Sequence, residues 1–452
     1  MNNRIMVGVV CMFAAMAAAA ADKVWTGGSS DANWTSAANW GGSAPLAGDA
    51  LFFGGSVKLT STNDVAAGTS FSNLVFATDA GAFVLNGNPI TLEGAISNLS
   101  STAKTINMPL ILNGIRTIFG SNATVAVNGV LSGPGGLNTC VTNTLTLSGN
   151  NTYEGFTTVS NSTLLITHAS ALGSTNAGTR VFSTSDATLR LSGGIEINEP
   201  LYFNGSKPVP VQYTASLISD SGSNTIRSLI TKEGTLRIRT ESGTGKVLVL
   251  SGGILHTGGS NLGFNPQGGS TIIVKDKPLQ LGSATIQSEY GGTVVLAVSG
   301  NVYGSLLIVD HNKVRTDVVD ALCPTATLTV GGSWASDAIL DMNGFDQTTV
   351  LLKSDNNTSK GGVDGYRAVT SAVPATLTVN QSSTSVYAGS LAGAVSLVKN
   401  GTGMLIFSNV ISTTTGEITV NAGTFTVAEG SGFSASTRLR INGGTLELRN
   451  GA

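Results

Sequence analysis

Between Thr144 and Ile166 the chain reads TLTLSGNNTYEGFTTVSNSTLLI, two apolar alternations around a cluster of Ser, Gly and Asn. Far downstream, Leu405–Val427 reads LIFSNVISTTTGEITVNAGTFTV and sets its apolar and turn residues in the same order. A pattern written twice at such a distance marks a repeated structural unit. Its kernel is Thr, apolar residue, any residue, apolar residue. The kernel starts at Thr124, Thr144, Thr163, Thr188, Thr235, Thr271, Thr293, Thr327, Thr376, Thr424 and Thr445. Most successive starts are 19 to 25 residues apart or about twice that; gaps of 36 after Thr235 and 34 after Thr293 fit neither and are read as containing insertions. Strict alternation turns Leu145 and Leu147 inward and Thr144 and Thr146 outward. One such strand buries too little to stand alone, whereas stacked copies share a continuous core.

Composition suits that array. Charged residues make up 11% of the 452 positions, against roughly 25% in ordinary domains. The 58 glycines are about 13% of the chain, nearly double the usual share. β-Branched residues favour pleated surfaces, and Gly and Asn accept the positive φ that tight turns require. With 24 basic and 26 acidic side chains and a net charge of −2, no basic stripe is present to meet a phosphate backbone, so nucleic acid is not an expected partner.

The first 21 residues, with Arg4 ahead of an apolar run from Ile5 to Met16 and alanines up to Ala21, read as a secretory signal peptide, with the mature chain starting at Asp22 or alternatively at Ala21. No later apolar span has membrane length. Cys140 and Cys323 then remain, 183 residues apart along a rod; they are expected to be unbonded and buried as small apolar side chains. The three histidines, His168, His256 and His311, are isolated, and no Cys/His cluster has zinc spacing.

Lys23–Phe53 lacks the kernel but holds Trp25, Trp34 and Trp40. These indoles could form a sugar-stacking platform or plug the first turn; the plug is favoured, because an open solenoid end needs covering and large aromatics dominate core burial. The expected organisation is a leader over 1–21, an N-terminal cap over 22–60 and a repeat array over 61–452.

VNGVLSGPGGL at Val127–Leu137, continued by the Thr144–Ile166 stretch, resembles the autotransporter-associated β-strand repeat. SLAGAVSLVKNGTGMLIF at Ser390–Phe407 with its continuation EITVNAGTFTV does so too. The W-x-G…NW…NW…P…GD opening and ILDMNGFDQTTVLL at Ile339–Leu352 are similar to stretches that accompany this repeat in large bacterial surface proteins. The resemblance implies an all-β, right-handed parallel β-helix of passenger type, exported to the cell surface or outer membrane, adhesin-like and usually without catalysis. Autotransporters proper finish in a membrane β-barrel, whereas this sequence stops at GGTLELRNGA in the middle of a repeat, which leaves anchoring open.

β-Helices also carry polysaccharide lyases and glycoside hydrolases, which need converging carboxylates or a calcium site. The densest group is Asp310, His311, Arg315, Asp317 and Asp320, read either as an acid/base constellation or as a solvated insertion loop, with the loop favoured. A second group, Asp337, Asp341 and Asp346, flanks an expected Asn343-Gly344 turn. No catalytic, cofactor-binding or metal-binding residue is expected. The partners expected are glycans or cell-surface components along exposed Thr, Ser and Asn rows; the alternative is a β-helix enzyme acting on polysaccharide.

Overall fold

Thr144–Leu147 pairs in parallel and in register with Thr163–Ile166, which pairs in the same way with Thr188–Ser192, so that Thr144, Thr163 and Thr188 lie in one column. Leu145 sits between Val125 and Leu164 in the adjoining column, and all three are fully buried. This arrangement comes from a computed structural model that describes residues 20–449 apart from 121–122, 183–186, 206–215, 257–259, 333–336, 355–365 and 409–410. The expected leader, except for Ala20 and Ala21, lies outside the described residues.

The chain is an all-β solenoid of parallel strands, with a single 3₁₀ turn at Ala37–Trp40 among the described residues. Each full turn contributes strands to up to three faces. The first face stacks 12 strands, from Asp22–Trp25 to Leu279–Gln280. The second stacks 14, from Thr60–Asn63 to Leu351–Lys353. Four more strands, Ser385–Tyr387 to Thr445–Leu448, continue it, joined where the Ser354 N–H donates to the Val386 carbonyl at 2.9 Å. At roughly 4.8 Å per strand this column is on the order of 80 Å long.

The third face begins with a four-stranded sheet, Thr69–Phe71 to Leu131–Ser132, and resumes as a separate sheet at Glu196–Ile197. Asn151 replaces the missing ladder between them. Its Oδ1 accepts the Leu131 N–H at 2.8 Å and its Nδ2 donates to the Ala171 carbonyl at 2.7 Å, so one buried amide ties three successive turns. Asn301 repeats the device between Leu279 and Ala321. Turns also meet closely at their corners: a β carbon on Gly135 would come within 1.9 Å of the Gly114 carbonyl oxygen.

The two irregular gaps in the kernel series are not insertions. Thr271–Lys275 and Thr293–Ala297 belong to the third face, whereas Leu236–Thr240, Ser305–Ile308 and Thr327–Val330 belong to the second. The second face continues through Leu262–Pro266 and Ser305–Ile308, which satisfy the same inward pattern without beginning in Thr. The kernel is a strand signature, and any face that buries alternate residues can use it. For the same reason Asn312–Thr316 is a strand and not an insertion loop: Asn312, Val314 and Thr316 point inward, and the strand pairs with Thr293–Ala297 on one side and Ala338–Asp341 on the other.

At the N-terminal end all three indoles are buried, Trp34 completely. Trp25, Trp34 and Trp40 surround Phe53 with ring centroids 5.6 to 6.0 Å from it. Each indole N–H is satisfied inside, by the Val57 carbonyl, Ser61 Oγ and the Trp34 carbonyl respectively. No face of these rings is left to stack on a sugar. At the other end Leu439, Ile441 and Leu448 are exposed, because the last described strands pair on one side only.

Cys140 and Cys323 are both free thiols, as expected, but only Cys323 is buried. Cys140 is half-buried because it takes an outward position of Leu137–Val141, where Leu137, Thr139 and Val141 point in. In the chain lacking residues 1–21, an aromatic disulfide reagent should titrate Cys140 in the native state and Cys323 only after unfolding. Leu147→Asp places a charge in the stack and should cost about 3–5 kcal/mol in urea unfolding, whereas Thr146→Asp, on the outer side of the same strand, should stay within about 0.5 kcal/mol. Equal losses at the two positions would contradict the register.

Candidate functional site

Outward positions of the first face carry aromatic side chains. In Thr179–Phe182 the alternation sends Thr179 and Val181 inward and Arg180 and Phe182 outward. Leu201–Asn204 buries Leu201 and Phe203 and turns out Tyr202 and Asn204. Register then places Thr158, Arg180, Tyr202 and Thr231 side by side on four successive strands, with Phe182 beside Asn204. Phe156, exposed at the entry to Thr157–Val159, carries the Arg180 guanidinium over its ring at 3.9 Å from the centroid. Asn204 Nδ2 donates to Glu233 Oε2 at 2.6 Å. Phe156, Arg180, Phe182, Tyr202, Asn204 and Glu233 are among the residues that line a recess of about 330 Å³ on the side of the solenoid.

Under the recess lies a buried polar chain. The Tyr153 and Thr157 hydroxyls are hydrogen-bonded to each other, and Thr157 pairs in register with Thr179. The Thr179 hydroxyl donates to Glu199 Oε1 at 2.8 Å, while Glu199 Oε2 is buried with no hydrogen-bond partner among the described residues. Burial pushes the Glu199 carboxyl up to about 8, so it is held protonated at neutral pH.

The acids singled out in the sequence are elsewhere and already occupied. Asp310 and His311 form a corner with φ of 54° and 59°. Arg315 is bound twice by Asp317 at 2.8 Å, and Asn343 Nδ2 donates to the same carboxylate at 2.9 Å. Lys313 holds Asp341 at 2.6 Å, so Asp317 and Asp341 come together around two cations, as a surface ion-pair network. Asp320 joins through its N–H to the Asp346 carbonyl. The Asp346 carboxylate accepts the Thr376 N–H and that of Asp337 the Tyr366 N–H, so both acids tie one turn to the next. The Asn343-Gly344 turn is present, with φ of 49° and 85°. Among the described residues no three His, Cys, Asp or Glu side chains gather to hold a metal ion, and no helix is long and apolar enough to cross a membrane.

The expected polar rows exist as ladders. Asn107 donates to Asn86 and Asn128 to Asn107, at 2.8 and 2.9 Å. Asn400, Asn421 and Asn442 extend a second ladder from Asn380 in the same way. TRVF and LYFN carry the sequence signal of the recess: bulky side chains at positions that the alternation assigns to solvent.

Glu199 has a pH consequence whose sign is set by burial. Its carboxyl titrates at about 8 in the fold against 4.5 as its ordinary value, so between those limits the native state holds the proton longer and stability falls as pH rises. Glu199→Gln should therefore stabilise the chain at pH 8 by on the order of 1–3 kcal/mol, with the difference from wild type closing toward pH 4 in urea titrations.

Comparison with known proteins agrees with this geometry. The passenger-associated-transport-repeat family matches residues 142–166 and 397–427. The adhesin BmaC autotransporter of Brucella suis biovar 1 (strain 1330) is 27% identical over 473 residues, covering 88% of this chain and 13% of that protein. The chain thus spans about an eighth of the length of the curated relative it matches. No solved structure matches. The first match falls on the stacked Thr144–Leu147 and Thr163–Ile166 strands and the second on Ser390–Asn400 through Thr424–Val427, so two segments of this β-solenoid are similar to the passenger-associated-transport-repeat.

Proposed function

We propose that this chain is an adhesin-like segment, displayed outside the cell, that extends as a rod and makes contacts along its sides, with glycans or other cell-surface components as partners and without catalysis. The observation that carries this reading is the coincidence of the matched repeats with stacked strands, within a similarity to an autotransporter adhesin that covers most of the chain. The ion pairs around Asp317 and Asp341 support it further, since carboxylates neutralised by Lys313 and Arg315 are poorly placed to act as acid and base.

The leader over 1–21 is removed in this reading, and the mature chain begins at Asp22, the first residue of the first strand. Residues 22–60 cap the solenoid and 61–452 form the array. The burial of three indoles over Phe53, next to the terminal strand of the first face, supports the cap. The mature chain should bind a glycan panel or host-cell surfaces and release no oligosaccharide from neutral or acidic polysaccharides, with or without calcium. Product that disappears in Asp317→Asn would sink this reading in favour of an enzyme.

A further inference from the structure

We propose that the outer side of the first face docks a second copy of this chain, with the two rods antiparallel and related by a two-fold axis that runs along the strand Leu201–Asn204. The proposal goes beyond the adhesive reading and does not depend on which outside partner that reading has. Backbone hydrogen bonds string Gly136, Phe156, Gly178, Pro200, Leu229 and Gly253 into one column at the corner that leads into this face, and Ile115, just before Arg116, begins it. Leu255, Gln280 and Val302 continue the neighbouring column. Ile115, Phe156, Leu229, Leu255 and Val302 are 38–66% exposed, a run of apolar side chains of the kind that marks an interaction surface. Eight strands of the face, Arg116–Gly120 to Leu279–Gln280, carry the run. The strip is roughly 40 Å by 17 Å, comparable with the roughly 800 Å² that each partner buries in an interface of standard size.

The two-fold argues for a second copy through what it brings together. Rotation about Leu201–Asn204 sets each strand opposite the one equally far along the rod on the other side, so Thr179–Phe182 faces Ile230–Lys232. Among the described residues, Arg180 and Glu233 are the only charged side chains at outward positions of these eight strands and the residues directly after them. Arg180 lies on the Phe156 ring and Glu233 accepts the Asn204 N–H, and neither has an ion-pair partner among the described residues. Each Arg180 then reaches Glu233 of the other copy, twice per dimer, and such charge pairs fix orientation and register. Bulky corner residues also fall opposite glycines: Ile115 opposite Gly300, Phe156 opposite Gly253 and Leu229 opposite Gly178. A β carbon on Gly300 would touch nothing, and the Tyr202 ring packs over Gly178, so Leu229 meets an aromatic surface there. A two-fold along the rod would instead set Arg180 against Arg180 and Glu233 against Glu233, which is why the antiparallel arrangement is assigned.

Sedimentation velocity of the mature chain over a range of concentrations tests this, with every variant verified by circular dichroism and thermal unfolding. A reversible dimer is expected. Arg180→Glu or Glu233→Arg alone should weaken it at least tenfold, while the double variant, which restores both ion pairs with their signs exchanged, should return to within threefold of wild type. Asn204→Cys, made together with Cys140→Ser, lies on the two-fold and should be joined to its own copy by a short bismaleimide, whereas Asn421→Cys in the same background should not. A chain that stays monomeric at every concentration overturns the proposal, and glycan or cell-surface binding lost in Leu229→Asp then assigns the strip to that partner. A dimer indifferent to both charge reversals, or cross-linked through Asn421→Cys instead, overturns the docking face. Single reversals that weaken the dimer without recovery in the double variant overturn the antiparallel two-fold.

Discussion

Among the described residues, the inner turns satisfy their backbone through the turns above and below them, and that constraint governs the rest. Leu110–Leu112, for example, has no partner within its own turn and pairs with Ile90–Leu92 on one side and Leu131–Ser132 on the other. A single turn would leave a row of N–H and C=O groups unpaired and its inward side chains half-covered. Stacking removes both defects at once, and each fully buried Leu or Ile contributes about 1.5–3 kcal/mol. Stability is therefore shared along the axis.

Corners are where this economy is hardest to keep, because the chain must turn while its carbonyls stay covered. The solution here is buried polar side chains that reach across turns. Asn151, Asn301 and Gln347 do so as neutral amides. Lys104, Lys232 and Lys399 do so as amines, with Nζ directed at the carbonyl oxygens of Ala80, Ser260 and Ala422 respectively. Burial pushes Lys104 and Lys232 down to about 8 and lowers Lys399 as well, the cost of taking a cation out of water. A carbonyl left unpaired at such a corner would itself cost about 1–3 kcal/mol, which is why a desolvated amine is tolerated there.

Because folding uses the inward positions and the corners, function is left with the outward ones. On the first face the neighbours of an outward ring or guanidinium are chosen by register. Arg180, Tyr202 and Thr231 are 22 and 29 positions apart in sequence yet adjacent in space, since the turns between them differ in length. The solenoid thus turns a linear pattern into a two-dimensional display, with one axis along the strand and one along the rod.

The sequence by itself determined the strand class, the inward and outward assignment at Leu145, Leu147, Thr144 and Thr146, and the burial of Trp25, Trp34 and Trp40. These depend on local alternation or on sheer apolar size, both visible in a short stretch. It did not reveal that Thr271 and Thr293 lie on a different face from Thr235 and Thr327, because the kernel is the same wherever alternate residues are buried. Nor did it show that Cys140 faces out, that Asn312–Thr316 is a strand, or that Phe156, Arg180, Tyr202 and Asn204 meet. Those outcomes depend on how many residues each corner absorbs, which sets the register between turns, and register is a property of two strands together that neither carries alone.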